Sequence, residues 1–114
     1  MKKLLLTFLI ILFSLTSNLV KANETLDIQD VEKIGFIKEY VKGFEMIGAI
    51  DGWYGTLSDE KVEIYVYKDV SSIPVPFFDA AKDMGWEEVC FVSNLALMSK
   101  GKTACTHLSS LSTE

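Results

Sequence analysis

The longest apolar run of the chain, Leu4 to Leu15, is expected to take no part in its fold. It follows Lys2 and Lys3, is interrupted only by Thr7 and Ser14, and ends at the polar step Thr16-Ser17-Asn18. A bilayer span needs roughly twenty apolar residues, more than this stretch offers. A basic start, a short apolar stretch and modest side chains at Val20 and Ala22 form the pattern of a secretory signal peptide. Residues 1–22 are therefore read as a signal cut after Ala22, and residues 23–114 as one small exported domain, periplasmic or secreted. No Cys stands just after the apolar run to carry a lipid, so no membrane association is expected after cleavage.

This reading changes the charge of what remains. The whole chain has 11 basic and 16 acidic residues, all the basic ones Lys. Lys2, Lys3 and Lys21 precede the expected cut and no acid does, which leaves 8 lysines against 16 acids and a formal charge of −8. Nucleic acid is excluded as a partner, because phosphates require a basic footprint. Anionic lipid is excluded for the same reason. Such acidity suits a basic partner or simple solubility equally.

Along the expected domain, Val31, Ile34, Ile37, Val41, Phe44 and Ile47 recur at helical steps after Ile28. Thr25 or Asp27 is placed to cap such a helix, and Gly35 and Gly43 weaken it. From Ala49 to Leu57 the chain turns aromatic and glycine-rich, as a strand would. Ser58-Asp59-Glu60 reads as a turn, and Val62 to Tyr67 as the clearest strand, in an antiparallel hairpin with the one before. Its alternation sets Val62, Ile64 and Val66 on one face and Glu63, Tyr65 and Tyr67 on the other. Pro74 and Pro76 open a short helix bearing Phe77, Phe78, Ala81 and Met84, with Gly85 as its stop. Val89 to Val92 is a strand, Ser93-Asn94 a turn, Leu95 to Met98 a further apolar run, and Thr103 to Leu111 a last helix. The order α-β-β-α-β(-β)-α predicts an α+β domain, an antiparallel sheet with helices packed on one face.

Chemistry-bearing residues are few. Cys90 and Cys105 are the only cysteines and both lie in the exported part, where a pair is expected to form a disulfide. The competing reading joins them to His107, the only histidine, and to Met84 or Met98, as a thiol- or soft-metal-handling site for copper or zinc. The spacing fits no established zinc pattern, and Cys-x-x-Cys is missing. A cysteine with His107 supplies nucleophile and base types, but nothing else in the chain supports catalysis. No phosphate loop or hydrolase motif occurs, so neither enzyme activity nor a cofactor is expected. The remaining signal is aromatic. Trp53, Tyr54, Tyr65 and Tyr67 form a candidate binding surface for a protein or peptide, provided the aliphatic side of the strand meets the helices and the tyrosines face out. The alternative is that a loop or the last helix covers them. The glycines in Asp51-Gly52-Trp53-Tyr54-Gly55 suggest a bulge or a close backbone approach.

Overall fold

A computed structural model describes residues 25–112, and the expected signal lies outside them. The first helix, α1, is Ile28–Lys33. Asp27 caps it: its carboxylate accepts from the Asp30 N–H at 3.2 Å, while the Asp30 carboxylate accepts from the Asp27 N–H at 2.9 Å.

The expected long helix does not form. Gly35 takes φ +105°, its N–H donates to the Glu32 carbonyl, and the Phe36 N–H reaches back to the Val31 carbonyl. This is the paired closure that ends a helix at a left-handed glycine. Phe36 and Val31, both buried in one core cluster, pack across the closure. Beyond it the chain is β-branched and aromatic, and it extends as strand β1, Ile37–Val41. The three- and four-residue spacing of Ile37, Val41, Phe44 and Ile47 was thus shared by a strand, a loop and a 3₁₀ turn at Glu45–Ile47.

Strands β2, Asp51–Leu57, and β3, Glu60–Val66, form the expected hairpin. Its turn is shorter than expected: Ser58 and Asp59 alone make it, at φ 55° and 62°, the two-residue form whose twist suits a hairpin. A short helix α2, Val75–Asp79, runs on as 3₁₀ turns through Met84 and stops at Gly85. Strands β4, Glu88–Val92, and β5, Leu95–Ser99, are joined by Ser93-Asn94. Helix α3, Thr103–Leu108, continues as 3₁₀ through Ser112. All strand pairs are antiparallel, in the order β1-β2-β3-β5-β4.

The α+β class and the antiparallel sheet are as the sequence predicts, but both faces of the sheet are covered rather than one. On the first face Val62, Ile64, Val66, Leu95 and Leu97 meet Ile28 and Val31 of α1 and Ala104, Cys105 and Leu108 of α3. On the second, Tyr65, Tyr67, Ala96 and Met98 lie beneath Phe78, Ala81 and Ala49. Residues 73–86 supply much of this second layer. Among the described residues no helix is long and apolar enough to cross a membrane.

Two ties close the structure. Cys90 of β4 is bonded to Cys105 of α3, with Cα atoms 5.9 Å apart. Asn94, 1 % exposed, holds the incoming chain: its Oδ1 accepts from the Leu26 N–H at 2.7 Å, and its Nδ2 donates to the carbonyls of Leu26 and Tyr67. A buried side-chain amide with all these bonds made takes the place of a strand partner for Leu26.

Candidate functional site

Trp53 and Tyr54 are consecutive in β2, so the pleat sends them to opposite faces. Trp53 pairs with Ile64 on the α1/α3 face, under the Lys38 ammonium, which lies 4.4 Å from its ring centroid. Its indole N–H is buried without a hydrogen-bond partner among the described residues. Tyr54 lies on the other face and stacks on Tyr40 of β1, with ring centroids 4.8 Å apart and planes 14° from parallel. Tyr40 is 51 % exposed, so the stack is open to a partner.

Tyr65 and Tyr67 do not face out, which corrects that part of the expected surface. They are 4 % and 0 % exposed, each packed against Phe78. The Tyr65 hydroxyl donates to Glu63 at 2.6 Å and that of Tyr67 to the Ile47 carbonyl at 3.1 Å. Burial pushes the Tyr67 hydroxyl up to about 12, and burial together with the neighbouring Glu63 carboxylate raises that of Tyr65 still further. These rings belong to the core.

The glycines beside Trp53 and Tyr54 mark close approach. A Cβ at Gly55 would overlap the Ile37 carbonyl of β1 and sit 2.9 Å from the Phe36 ring. One at Gly52 would come within 2.8 Å of both Phe44 and Tyr65. Gly55 lets β1 lie close beside β2, and that pairing brings Tyr40 beside Tyr54, while Gly52 makes room for Phe44 and Tyr65. The pairing carries a register shift between Lys38 and Tyr40. Tyr40 escaped the sequence reading because the helical spacing ran through it. The legible signal was the β-branched and aromatic run after Gly35.

Charge around the stack is ordered in pairs. Lys61 bonds Glu39 at 2.9 Å and Lys42 lies 3.4 Å from Glu63, while on the opposite face, over Trp53, Lys38 lies 3.5 Å from Glu32. Lys61 and Lys42 also lie over the Tyr54 and Tyr40 rings, each 5.8 Å from the centroid. The exposed patch therefore presents stacked rings within a rim of neutralised charge, together with Ile37, which is 65 % exposed.

The disulfide removes both sulfurs from the competing thiol or metal reading. His107 is engaged elsewhere, its Nδ1 lying 2.8 Å from the Ser58 hydroxyl oxygen. Among the described residues no group of three or more His, Cys, Asp or Glu side chains converges as metal ligands do.

Glu60 shows how the hairpin positions α3. Its carboxylate accepts from the N–H groups of Thr103 and Ala104, at 3.0 and 2.8 Å, and from the Ser99 hydroxyl at 3.0 Å. It serves the helix start from a strand far away in sequence. Desolvation pushes this carboxyl up, but the donors of Ala104, Thr103 and Ser99 outweigh it and hold it below the usual glutamate value. A group depressed in this way stabilises the fold above its unfolded pKa and loses that contribution as the pH falls through the folded one. Glu60→Gln should therefore flatten the acid limb of stability against pH below the ordinary glutamate range, as read by urea denaturation. An unchanged acid limb would remove this role.

Comparison with known proteins returns no relative: no family model matches the chain, and no curated protein or solved structure is significantly similar to it.

Proposed function

We propose that the chain is a small exported binding module, stapled by one disulfide, which meets a protein or peptide partner through the open aromatic end of its sheet. The observation that carries this reading is the Tyr40–Tyr54 stack, solvent-open on a strand at the sheet edge. Stacked tyrosines are rigid, lose little side-chain entropy on contact, and offer both an apolar face and a hydroxyl. The bridged lysines at their rim favour orientation of a partner over bulk attraction. Export is supported by the signal-like first 22 residues and by the disulfide, which persists in oxidising compartments.

The test is a photo-crosslinking amino acid placed at Tyr40 and, as a control, at exposed Ser71. A discrete adduct in the native exported fraction is expected at Tyr40 and not at Ser71. Tyr40→Ala with Tyr54→Ala should abolish that adduct at the neighbouring position Ile37 while costing about 1 kcal/mol or less of stability, since the pair is largely outside the core. Equal adducts at Tyr40 and Ser71, or none at either, would overturn the reading.

A further inference from the structure

The sheet face that carries the Tyr40–Tyr54 stack offers free hydrogen-bond donors, while its carboxylates are largely engaged. Tyr40 lies opposite Tyr54 and Ile37 opposite Thr56, and Glu63 and Lys61 of β3 lie opposite Tyr54 and Thr56 in turn, so all six share one face. The register shift between Lys38 and Tyr40 brings Ile37 and Tyr40, three positions apart, to the same side. Unlike those of Tyr65 and Tyr67, the hydroxyls of Tyr40 and Tyr54 make no hydrogen bond among the described residues. Lys61 gives one proton to Glu39, and an ammonium carries three. Glu63 is held through both oxygens, one by the Tyr65 hydroxyl and the other by Lys42, and one oxygen of Glu39 is held by Lys61.

These features narrow what can sit on the stack. An extended strand would have to pair with the β1 edge, which its register shift and Lys38 and Lys42 guard. A basic segment meets Lys61 and Lys42 already placed over the two rings. An acidic segment meets lysines already bridged to carboxylates, on a chain whose formal charge is −5. What fits is uncharged, brings acceptors and no donors, and has flat apolar surface for the rings.

We infer that the stack takes an uncharged, proline-rich segment of its partner in the polyproline II conformation, an inference that rests on the binding role proposed above. Proline has no backbone N–H to be matched. The polyproline II helix makes no internal hydrogen bonds, so its carbonyls are free to accept from the Tyr40 and Tyr54 hydroxyls and from Lys61. Its rings lie against the exposed tyrosine surface, and Ile37, 65 % exposed, extends the apolar contact along the same face.

The probe is a capped peptide of seven prolines, titrated into isotope-labelled mature protein with the disulfide intact. The controls are capped peptides of the same length, one of alternating threonine and valine and one of alternating glutamate and alanine. The proline peptide should shift the amide signals of Tyr40, Tyr54 and Thr56 and saturate below millimolar concentration, with an affinity that added salt leaves unchanged. Tyr40→Phe with Tyr54→Phe keeps both rings and removes both hydroxyls, and should weaken binding about tenfold without lowering Tm. The inference is overturned by binding of either control as tight as that of the proline peptide, by shifts confined to β4 and β5, or by an unchanged affinity in the double-Phe variant. Absence of saturable proline binding, with the crosslinked adduct at Tyr40 still formed, would overturn the proline class and leave the proposed function standing. Absence of both would remove the two together.

Discussion

Phe78→Ala should destabilise the protein by about 4 kcal/mol, the cost of emptying a large buried aromatic site. Phe78 is fully buried, and four rings surround it: Phe77 at 5.1 Å, Tyr65 and Phe91 at 5.8 Å, and Tyr67 at 6.2 Å. It is the pin through which residues 73–86 close the second face of the sheet. Truncation removes that pin and leaves a cavity lined by rigid rings, which relax poorly. Urea denaturation monitored by tyrosine absorbance checks both parts. The midpoint should fall, and Tyr65 and Tyr67 should become accessible to solvent perturbation before the rest of the fold opens. A loss under about 1 kcal/mol, with both tyrosines still shielded, would show that the second layer is not a packed core.

The second large effect concerns the bond between β4 and α3. Replacing both cysteines, Cys90→Ser with Cys105→Ser, should cost about 3 kcal/mol, as expected from reopening a loop of 15 residues in the unfolded chain. For a domain of this size that corresponds to a fall in Tm of roughly 15 °C. The loop contains the whole of β5, which lies between β3 and β4, so the bond locks the last strand added to the sheet. Calorimetry of the wild-type and double-Ser proteins measures the difference. Alkylation of the native protein without reductant should label neither cysteine. Complete labelling of both would remove the staple from the account and return the sulfurs to other chemistry.

What could be read from the sequence follows from how local each signal is. The Val62-Ile64-Val66 alternation needs no knowledge of the rest of the chain, and it correctly marked β3 and its core face. The cysteine pair was legible from compartment and number alone. The last helix was legible from its start at Thr103, though beyond Leu108 it runs on only as 3₁₀ turns. Strand β1 was not, because apolar residues three and four apart fit a helix as well as they fit a strand, a loop and a turn in succession. Only the left-handed conformation of Gly35 decides between them. The orientation of Tyr65 and Tyr67 was assigned correctly to one face, but whether that face is open depends on where residues 73–86 come to rest. That is a long-range fact with no local signature. Asn94 was read as a turn residue, and its tie to Leu26, 68 positions away, leaves no mark in spacing. The candidate site divided for the same reason: Tyr54 met Tyr40, which helical spacing had concealed, while Tyr65 and Tyr67 went into the core.

The Asn94 clamp has a mechanical consequence. Tension applied through residues before Leu26 reaches the body of the protein at Asn94 and at the end of β3, by way of bonds to Leu26 and Tyr67. Because β3 and β5 are neighbours in the interior of the sheet, the load arrives there and not at a free edge. A pull from the front of the domain is thus resisted by central strands, so a thread drawn from that end meets the sheet where it is least able to peel.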